Sequence, residues 1–236
     1  MRDTVLLDLG GTLAEYYSRE EFPGVLRRCI TCVCERLAAL GIAQTTAEDV
    51  WPRVAQENHE GKDLQVRPLE GRLARIFELD GAAIAEDVMA GLCRAFLGPI
   101  LALARVYDDA VPALQQVRDL GARTALVSNT PWGSPGGLWR EEVSRLGLRP
   151  CLDADVFCTD VGWRKPDRRI FEFALRRMGA GPEQCLFVGD HPVWDVEGAR
   201  AVGIEAVLVT REAAAPAGDA KVISSLVALP RLLESL

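Results

Sequence analysis

The sequence predicts an α/β fold, a parallel sheet covered by helices on both faces with an all-helical segment inserted after the first strand. Three observations lead there. Compact apolar runs recur along the chain, each followed by turn residues and then a helical pattern. That rhythm stops between residue 15 and about residue 105, where only helical periodicity is found. The 236 residues, 49% hydrophobic and 26% charged, suit one large globular domain or a domain carrying a sizeable insertion.

In chain order, the first strand is Val5-Leu6-Leu7, an apolar run ending at Asp8. Helices follow. Arg27 to Leu40 sets Ile30, Val33, Leu37 and Leu40 on one stripe and stops at Gly41. Thr45-Thr46-Ala47-Glu48 offers a capping box for a second helix, with Pro52 close to its start. Further helical patterns cover 68–78 and 82–97, the second with Ile84, Val88, Leu92 and Phe96 in register. The most membrane-like stretch, Phe96 to Ala104, is broken by Gly98-Pro99 and falls well below the ~20 residues of a spanning helix. Strands resume at Arg123 to Ser128, Asp155 to Cys158, Gln184 to Val188, Glu205 to Val209 and Lys221 to Ile223, and Ala213 to Gly218 reads as a small-residue loop. The α/β core is thus expected over 1–15 and 105–236, and the helical cap over 16–104. Such an insertion sits over the C-terminal end of the first strand, where open parallel sheets bind ligands.

Composition excludes several function classes. A net charge of −7 leaves no basic footprint for nucleic acid. The three apolar residues before Asp8 fall short of a secretory signal, no membrane span is found, and a cytoplasmic location is expected. Seven cysteines without a signal fit free thiols in a reducing compartment. Cys29 and Cys32 share a helical face, but no second pair stands at zinc-finger spacing and the only histidines are His59 and His191, so small buried thiols are expected there.

Four polar clusters follow four of the predicted strands. Asp8 ends the first, Ser128-Asn129 the second, Lys165 comes shortly after the third, and Asp190 with Asp195 follows the fourth. Parallel strands share one C-terminal edge, so these residues converge. Their chemistry suits phosphoryl transfer, because a carboxylate attacking an anionic phosphate needs cations to offset the repulsion. Lys165 supplies one charge. Mg²⁺ held by Asp8 and Asp190 would supply another, since this ion takes one or two carboxylates together with substrate phosphate and water. Ser128 is a donor to a phosphate oxygen, and backbone N–H groups of the Gly10-Gly11-Thr12 turn add more.

With DLGGTL at 8–13, VSNT at 127–130, RKPD at 164–167 and VGDHPVWD at 188–195, in that order, the chain resembles the haloacid dehalogenase-like hydrolases. The resemblance spans the whole chain and implies a Rossmann-like parallel-sheet core with a helical cap. It implies an aspartyl intermediate at Asp8, Ser128 and Lys165 holding the transferring group, and Gly11, Thr12 and Asn129 at the substrate. It further implies metal ligation by Asp8, the Gly10 carbonyl and Asp190, with Asp195 supporting the metal waters or Lys165. The expected activity is Mg²⁺-dependent hydrolysis of a small phosphorylated metabolite. One position departs from the pattern: phosphatases of this family carry a second Asp where this chain has Gly10. That Asp serves as general acid and base, help worth ~10²–10⁴-fold in rate.

Two other readings compete. Relatives that cleave carbon–halogen or carbon–phosphorus bonds also lack the second Asp, yet here Asp190 and Asp195 are present and Lys62 is the only lysine of the insertion. A non-catalytic protein that kept the fold and the metal and ligand pocket is the third. Taken singly, Asp8 is also a turn residue before Gly-Gly, Ser128-Asn129 a helix start, and Asp190 an N-cap ahead of Pro192. Beyond the four clusters, Trp132 and Trp139 are candidates to wall an apolar pocket in the Gly/Pro-rich loop after Ser128. Residues 56–67, with His59, Lys62 and Arg67, form a candidate cap loop, and His191 is a candidate stand-in for the missing acid.

Overall fold

A computed structural model describes residues 2–59, 62–79, 84–211 and 221–235 of the chain. The small-residue loop expected at Ala213 to Gly218 lies outside them, as do Glu60 and Gly61 of the polar stretch. Strand β1 (Thr4–Leu7) is buried at every position, as a strand covered on both faces must be. The chain then turns into β2 (Ala14–Glu15), which pairs antiparallel with β3 (Arg105–Val106). Among the described residues, four helices lie between these short strands: α1 (Phe22–Ala39), α2 (Ala47–Glu57), α3 (Leu69–Ile76) and α4 (Glu86–Leu101).

Each helix follows from its local sequence, with shifts at the ends. In α1, Leu26, Cys29, Ile30, Val33 and Leu37 form the buried face. Gly41 adopts φ 67°, its N–H bonds to the Ala38 carbonyl and that of Ile42 to Leu37, which closes the helix with a left-handed cap. Leu40, expected on the buried stripe, is therefore the C-cap and 37% exposed. Thr46, not Thr45, caps α2: its hydroxyl accepts from the Asp49 N–H at 3.3 Å and the Asp49 carboxylate accepts from the Thr46 N–H at 2.9 Å. Pro52 stands inside this helix without displacing its start. Helix α4 begins after Ile84 and runs through Gly98 and Pro99 to Leu101, burying Leu92, Cys93, Phe96, Leu97 and Ile100. In the last turn Pro99 forgoes only one helical bond, so the expected break does not occur. None of the helices among the described residues is long and apolar enough to cross a membrane.

The chain continues through α5 (Ala110–Asp119), β4 (Arg123–Ser128), a tight turn at Pro131–Gly133, α6 (Gly136–Arg145), β5 (Ala154–Phe157), α7 (Cys158–Val161) and α8 (Arg168–Met178). It then forms β6 (Cys185–Gly189), a π-helical turn at Pro192–Glu197 leading into α9 (Gly198–Arg200), β7 (Glu205–Val209), β8 (Lys221–Ile223) and α10 (Leu229–Glu234). The sheet order is β5-β4-β1-β6-β7-β8, with every pair parallel. Strand period divides the core in two: Val5, Leu7, Leu126 and Val188 face the layer shared with the inserted helices, whereas Leu6, Ala125, Val127 and Phe187 face α8 through Ile170 and Phe171. From β1 the chain crosses to β4 and β5 on one side and returns to β6 on the other. The switch point therefore lies between β1 and β6, where ligands bind in open sheets.

Candidate active site

Register brings the four clusters to this edge. Leu7 pairs with both Leu126 and Val188, so Asp8, Ser128 and Asp190 leave adjacent strands side by side. The Asp8 N–H bonds to the Val188 carbonyl at 3.0 Å, which carries β1 one residue further and aims the carboxylate out of the sheet. Lys165 reaches the same point from the segment before α8. Its Nζ donates to Asp8 Oδ1 at 2.5 Å and to Asp195 Oδ1 at 2.6 Å, and all three side chains are buried. Asp195 is held in turn by the His191 N–H, which donates to its second oxygen at 2.9 Å. The wide π-helical turn, with the Asp195 and Val196 N–H groups both on the His191 carbonyl, sets Asp195 back toward Lys165.

One oxygen from each of Asp8, Asp190 and Asp195 lies within 4.8 Å of the others. Three carboxylates against a single ammonium leave an excess of negative charge. Burial raises the Asp8 carboxyl above its ordinary value, Lys165 opposes this, and Asp195 adds to it. Asp190 is exposed at the mouth of the site, yet desolvation and the charges of Asp8 and Asp195 push it up to about 8. Burial acts to lower the Lys165 ammonium, but Asp195 and Asp8 outweigh it and hold the lysine protonated well above its ordinary range. The oxygen set fits a hard divalent cation such as Mg²⁺, whose charge would relieve the crowding. Two glycines make the cluster possible. Gly11, at φ 78°, leaves the space occupied by the Asp190 carboxylate, and Gly189 leaves that of Asp195; a Cβ at either would collide with the acid.

Other expected residues have different surroundings. Ser128 is 5% exposed and its hydroxyl donates to the Asn129 carbonyl at 3.2 Å. The Asn129 amide is committed to the lysine main chain, accepting from the Lys165 N–H at 2.8 Å and donating to the Lys165 carbonyl at 3.3 Å, so it braces Lys165. The Gly11 N–H, expected to face phosphate, bonds to the Ala14 carbonyl at 2.8 Å. Thr12 is fully buried, with a hydroxyl that has no partner among the described residues. His191 spends Nδ1 on the N–H groups of Val193 and Trp194 and stacks its ring on Trp194, 4.0 Å between centroids. Trp132 and Trp139, the candidate pocket walls, are 1% and 3% exposed and belong to the core, the structural role that the loop also allows. Trp132 packs on Phe96 and Trp139 edge-on to Tyr16, which joins the insertion to the sheet layer. The end of the 56–67 stretch pairs with the approach to Lys165: Val66 N–H bonds to the Gly162 carbonyl and Arg164 N–H to that of Leu64.

Two residues escaped the sequence reading. Gly10 faces open space, where an added Cβ would meet only Tyr16 Cδ2 at 3.8 Å, so Tyr16 borders the place of the missing acid. Nothing in the spacing of Tyr16 marks it. Arg72 is 3% exposed on the apolar face of α3, and here a signal existed, since a cation stands among Leu69, Leu73 and Ile76 at core spacing.

Residues 2–203 match the haloacid dehalogenase-like hydrolase family. The chain is 32% identical over 173 residues to a phosphoserine phosphatase of Thermus thermophilus, covering 73% of this chain and 67% of that protein. It is 38% identical over 111 residues to a glyceraldehyde 3-phosphate phosphatase of Methanothermobacter thermautotrophicus, a match that spans 47% of each, about half the length of that relative. A 2-haloacid dehalogenase from Pseudomonas syringae superposes with a TM-score of 0.71, covering 100% of this chain and 99% of that one at 22% identity, a likeness of fold.

Proposed function

The chain belongs to the haloacid dehalogenase-like hydrolases, and on that premise we propose that it is a Mg²⁺-dependent phosphatase of a small phosphorylated metabolite. The observation that carries this reading is the buried triad in which Lys165 Nζ bridges Asp8 and Asp195 beside Asp190. The names of the two relatives above support the phosphate ester class. In this reading residues 16–104 form the cap that covers the site and selects the substrate.

A carboxylate oxygen of Asp8 attacks phosphorus, the ester P–O bond breaks, and the phosphoryl group is carried on the Asp8 carboxylate. Lys165 fixes the orientation of Asp8 and offsets charge, and Ser128 donates to a phosphoryl oxygen. Water then attacks phosphorus, returning Asp8 as carboxylate and releasing phosphate. Mg²⁺, held by Asp8, Asp190 and the Gly10 carbonyl, would supply charge neutralisation of the phosphoryl oxygens. With Gly10 in place of an acid, the leaving oxygen takes its proton from solvent, so esters of acidic alcohols and phenols are favoured. The test is phosphate release from an aryl phosphate with Mg²⁺ by the wild type and by Asp8→Asn. Activity abolished in the variant supports the reading, and an unchanged rate rejects Asp8 as nucleophile.

A further inference from the structure

Arg72 and Trp132 meet where α3 packs on the turn that follows β4. The Arg72 guanidinium carbon lies 4.9 Å from the centre of the Trp132 ring, and the two residues are 3% and 1% exposed. Three N–H donors are buried there, Arg72 Nε and Nη1 and Trp132 Nε1, and among the described residues none has an acceptor. Among the described residues, two nearby acids are committed. Glu57, whose charge acts on Arg72, gives both oxygens to Arg75 at 2.6 and 2.8 Å, and Asp63 gives both to Arg67 at 2.8 and 2.7 Å. Arg67 and Arg75 add positive charge near Arg72.

A buried guanidinium with no counter-ion is costly, more so than stacking on an aromatic face offsets. Natural folds satisfy nearly all buried donors, so an arrangement of this kind calls for an acceptor from outside the chain. Burial draws the guanidinium down to about 10, which leaves it cationic at neutral pH. A neutral acceptor would leave that charge to Glu57 alone, whose oxygens are both given to Arg75, whereas an oxyanion meets both the charge and the donors. The place fits a role in the reaction. Trp132 stands four positions after Ser128, the Gly133 backbone packs directly on the Arg67 carbonyl, and residues 64–66 are stitched to the segment leading to Lys165.

We propose that Arg72 and Trp132 form a buried receptor for a small oxyanion, and that its occupant is a carboxylate carried by the phosphorylated substrate. The second part rests on the phosphatase reading; the first does not. All three donors are closed to solvent in this conformation, so the anion enters when α3 parts from the 131–133 turn.

Thermal unfolding of the wild type, Arg72→Met and Trp132→Phe in sodium acetate against sodium chloride of equal ionic strength tests the receptor without catalysis. Acetate raises the wild-type Tm. Arg72→Met loses that response and melts in chloride at or above the wild-type temperature, because an apolar side chain of similar volume replaces an unpaired buried charge. A lower Tm with the acetate response intact makes Arg72 a structural residue and overturns the receptor. Should Arg72→Met fail to fold, Trp132→Phe, which keeps the ring stack and loses one N–H, decides by whether its acetate response is weakened or unchanged. The occupant is read from 3-phosphoglycerate and glycerol 3-phosphate, which differ by a carboxylate. Arg72→Met raises KM for the first by about 30-fold and leaves the second within about 2-fold, the pattern of a lost binding contact. Equal effects on both esters overturn the substrate carboxylate as occupant. The phosphatase reading itself is decided by release from the aryl phosphate, and the acetate response decides the receptor whatever that outcome.

Discussion

The Lys165 ammonium sits 2.5 Å from Asp8 Oδ1, so two residues 157 positions apart form one buried charge pair at the edge of the sheet. Asp195 closes the group from the other side, and the Asn129 amide grips the lysine backbone through both its oxygen and its nitrogen. Lys165 is therefore fixed at its main chain and at its tip, and it holds one oxygen of Asp8 in place.

Replacing Lys165 by Met removes the charge and both tethers. In the proposed reaction kcat falls by ~10²–10³, the scale of losing one preorganised electrostatic contact. Asp195→Asn keeps the Lys165–Asp8 contact and costs less, about 10-fold in kcat by the same principle. Steady-state rates on an aryl phosphate measure both. Equal losses in the two variants would show that Asp195 does more than position the lysine.

Gly10→Asp restores a carboxyl at the position where family phosphatases carry one. Only Tyr16 Cδ2, at 3.8 Å, borders the added Cβ, and Gly10 is absent from the residues at positive φ, so the backbone accepts the change. Phosphatase activity on an alkyl phosphate rises by ~10²-fold, the lower end of general acid–base help. An aryl phosphate, whose leaving group needs little protonation, gains less. A variant that folds and gains nothing on either ester would place the defect elsewhere in the site.

The sheet was legible because its strands are buried on both faces and read as short apolar runs between turn residues: Arg123–Ser128, Glu205–Val209 and Lys221–Ile223 stand where the sequence puts them. The convergence of Asp8, Ser128 and Asp190 followed from parallel topology, whereas Lys165 and Asp195 are brought in by the segment before α8 and by the π-helical turn. What the sequence hid is tertiary. The Asn129 grip on the Lys165 backbone joins residues 36 apart, and no local pattern encodes it. Trp132 and Trp139 sit in a Gly/Pro-rich loop that looks open, but the inserted helices close over both. Gly98-Pro99 reads as a helix stop and is not one, because a proline in a final turn removes a single bond.

Gly11→Ala carries two penalties at once. Its φ of 78° lies in the left-handed region, where a side chain costs ~1–2 kcal/mol, and the new methyl group displaces the Asp190 carboxylate. Stability by urea titration falls by about that amount, and the Mg²⁺ concentration for half-maximal activity rises. Gly41→Ala, in the left-handed cap of α1 with open space around it, is the control. It loses comparable stability with an unchanged Mg²⁺ requirement.

In the proposed metal site, pH acts through Asp190. Its carboxyl is raised to about 8 by desolvation and by Asp8 and Asp195, against Lys165; His191 adjoins it in the chain, and Tyr107 packs within range of its charge. In the unfolded chain the group returns to 3.8. Between these values the folded state holds more protons than the unfolded one, so stability falls as pH rises and levels off above about 8. Below 6.5 the two histidines, both lowered by burial, contribute the opposite slope, which makes pH 6.5 to 8 the informative window. In EDTA the Tm declines across that window, and Asp190→Asn flattens the decline. Saturating Mg²⁺ binds the folded state through the same oxygens and raises the Tm more at pH 8 than at pH 6.5, because fewer protons compete for the site. Thermal melts with and without Mg²⁺ measure this directly. An equal Mg²⁺ effect at both pH values would take Asp190 out of the metal site, and a decline that persists in Asp190→Asn would assign that slope to Asp8, whose carboxyl burial also raises.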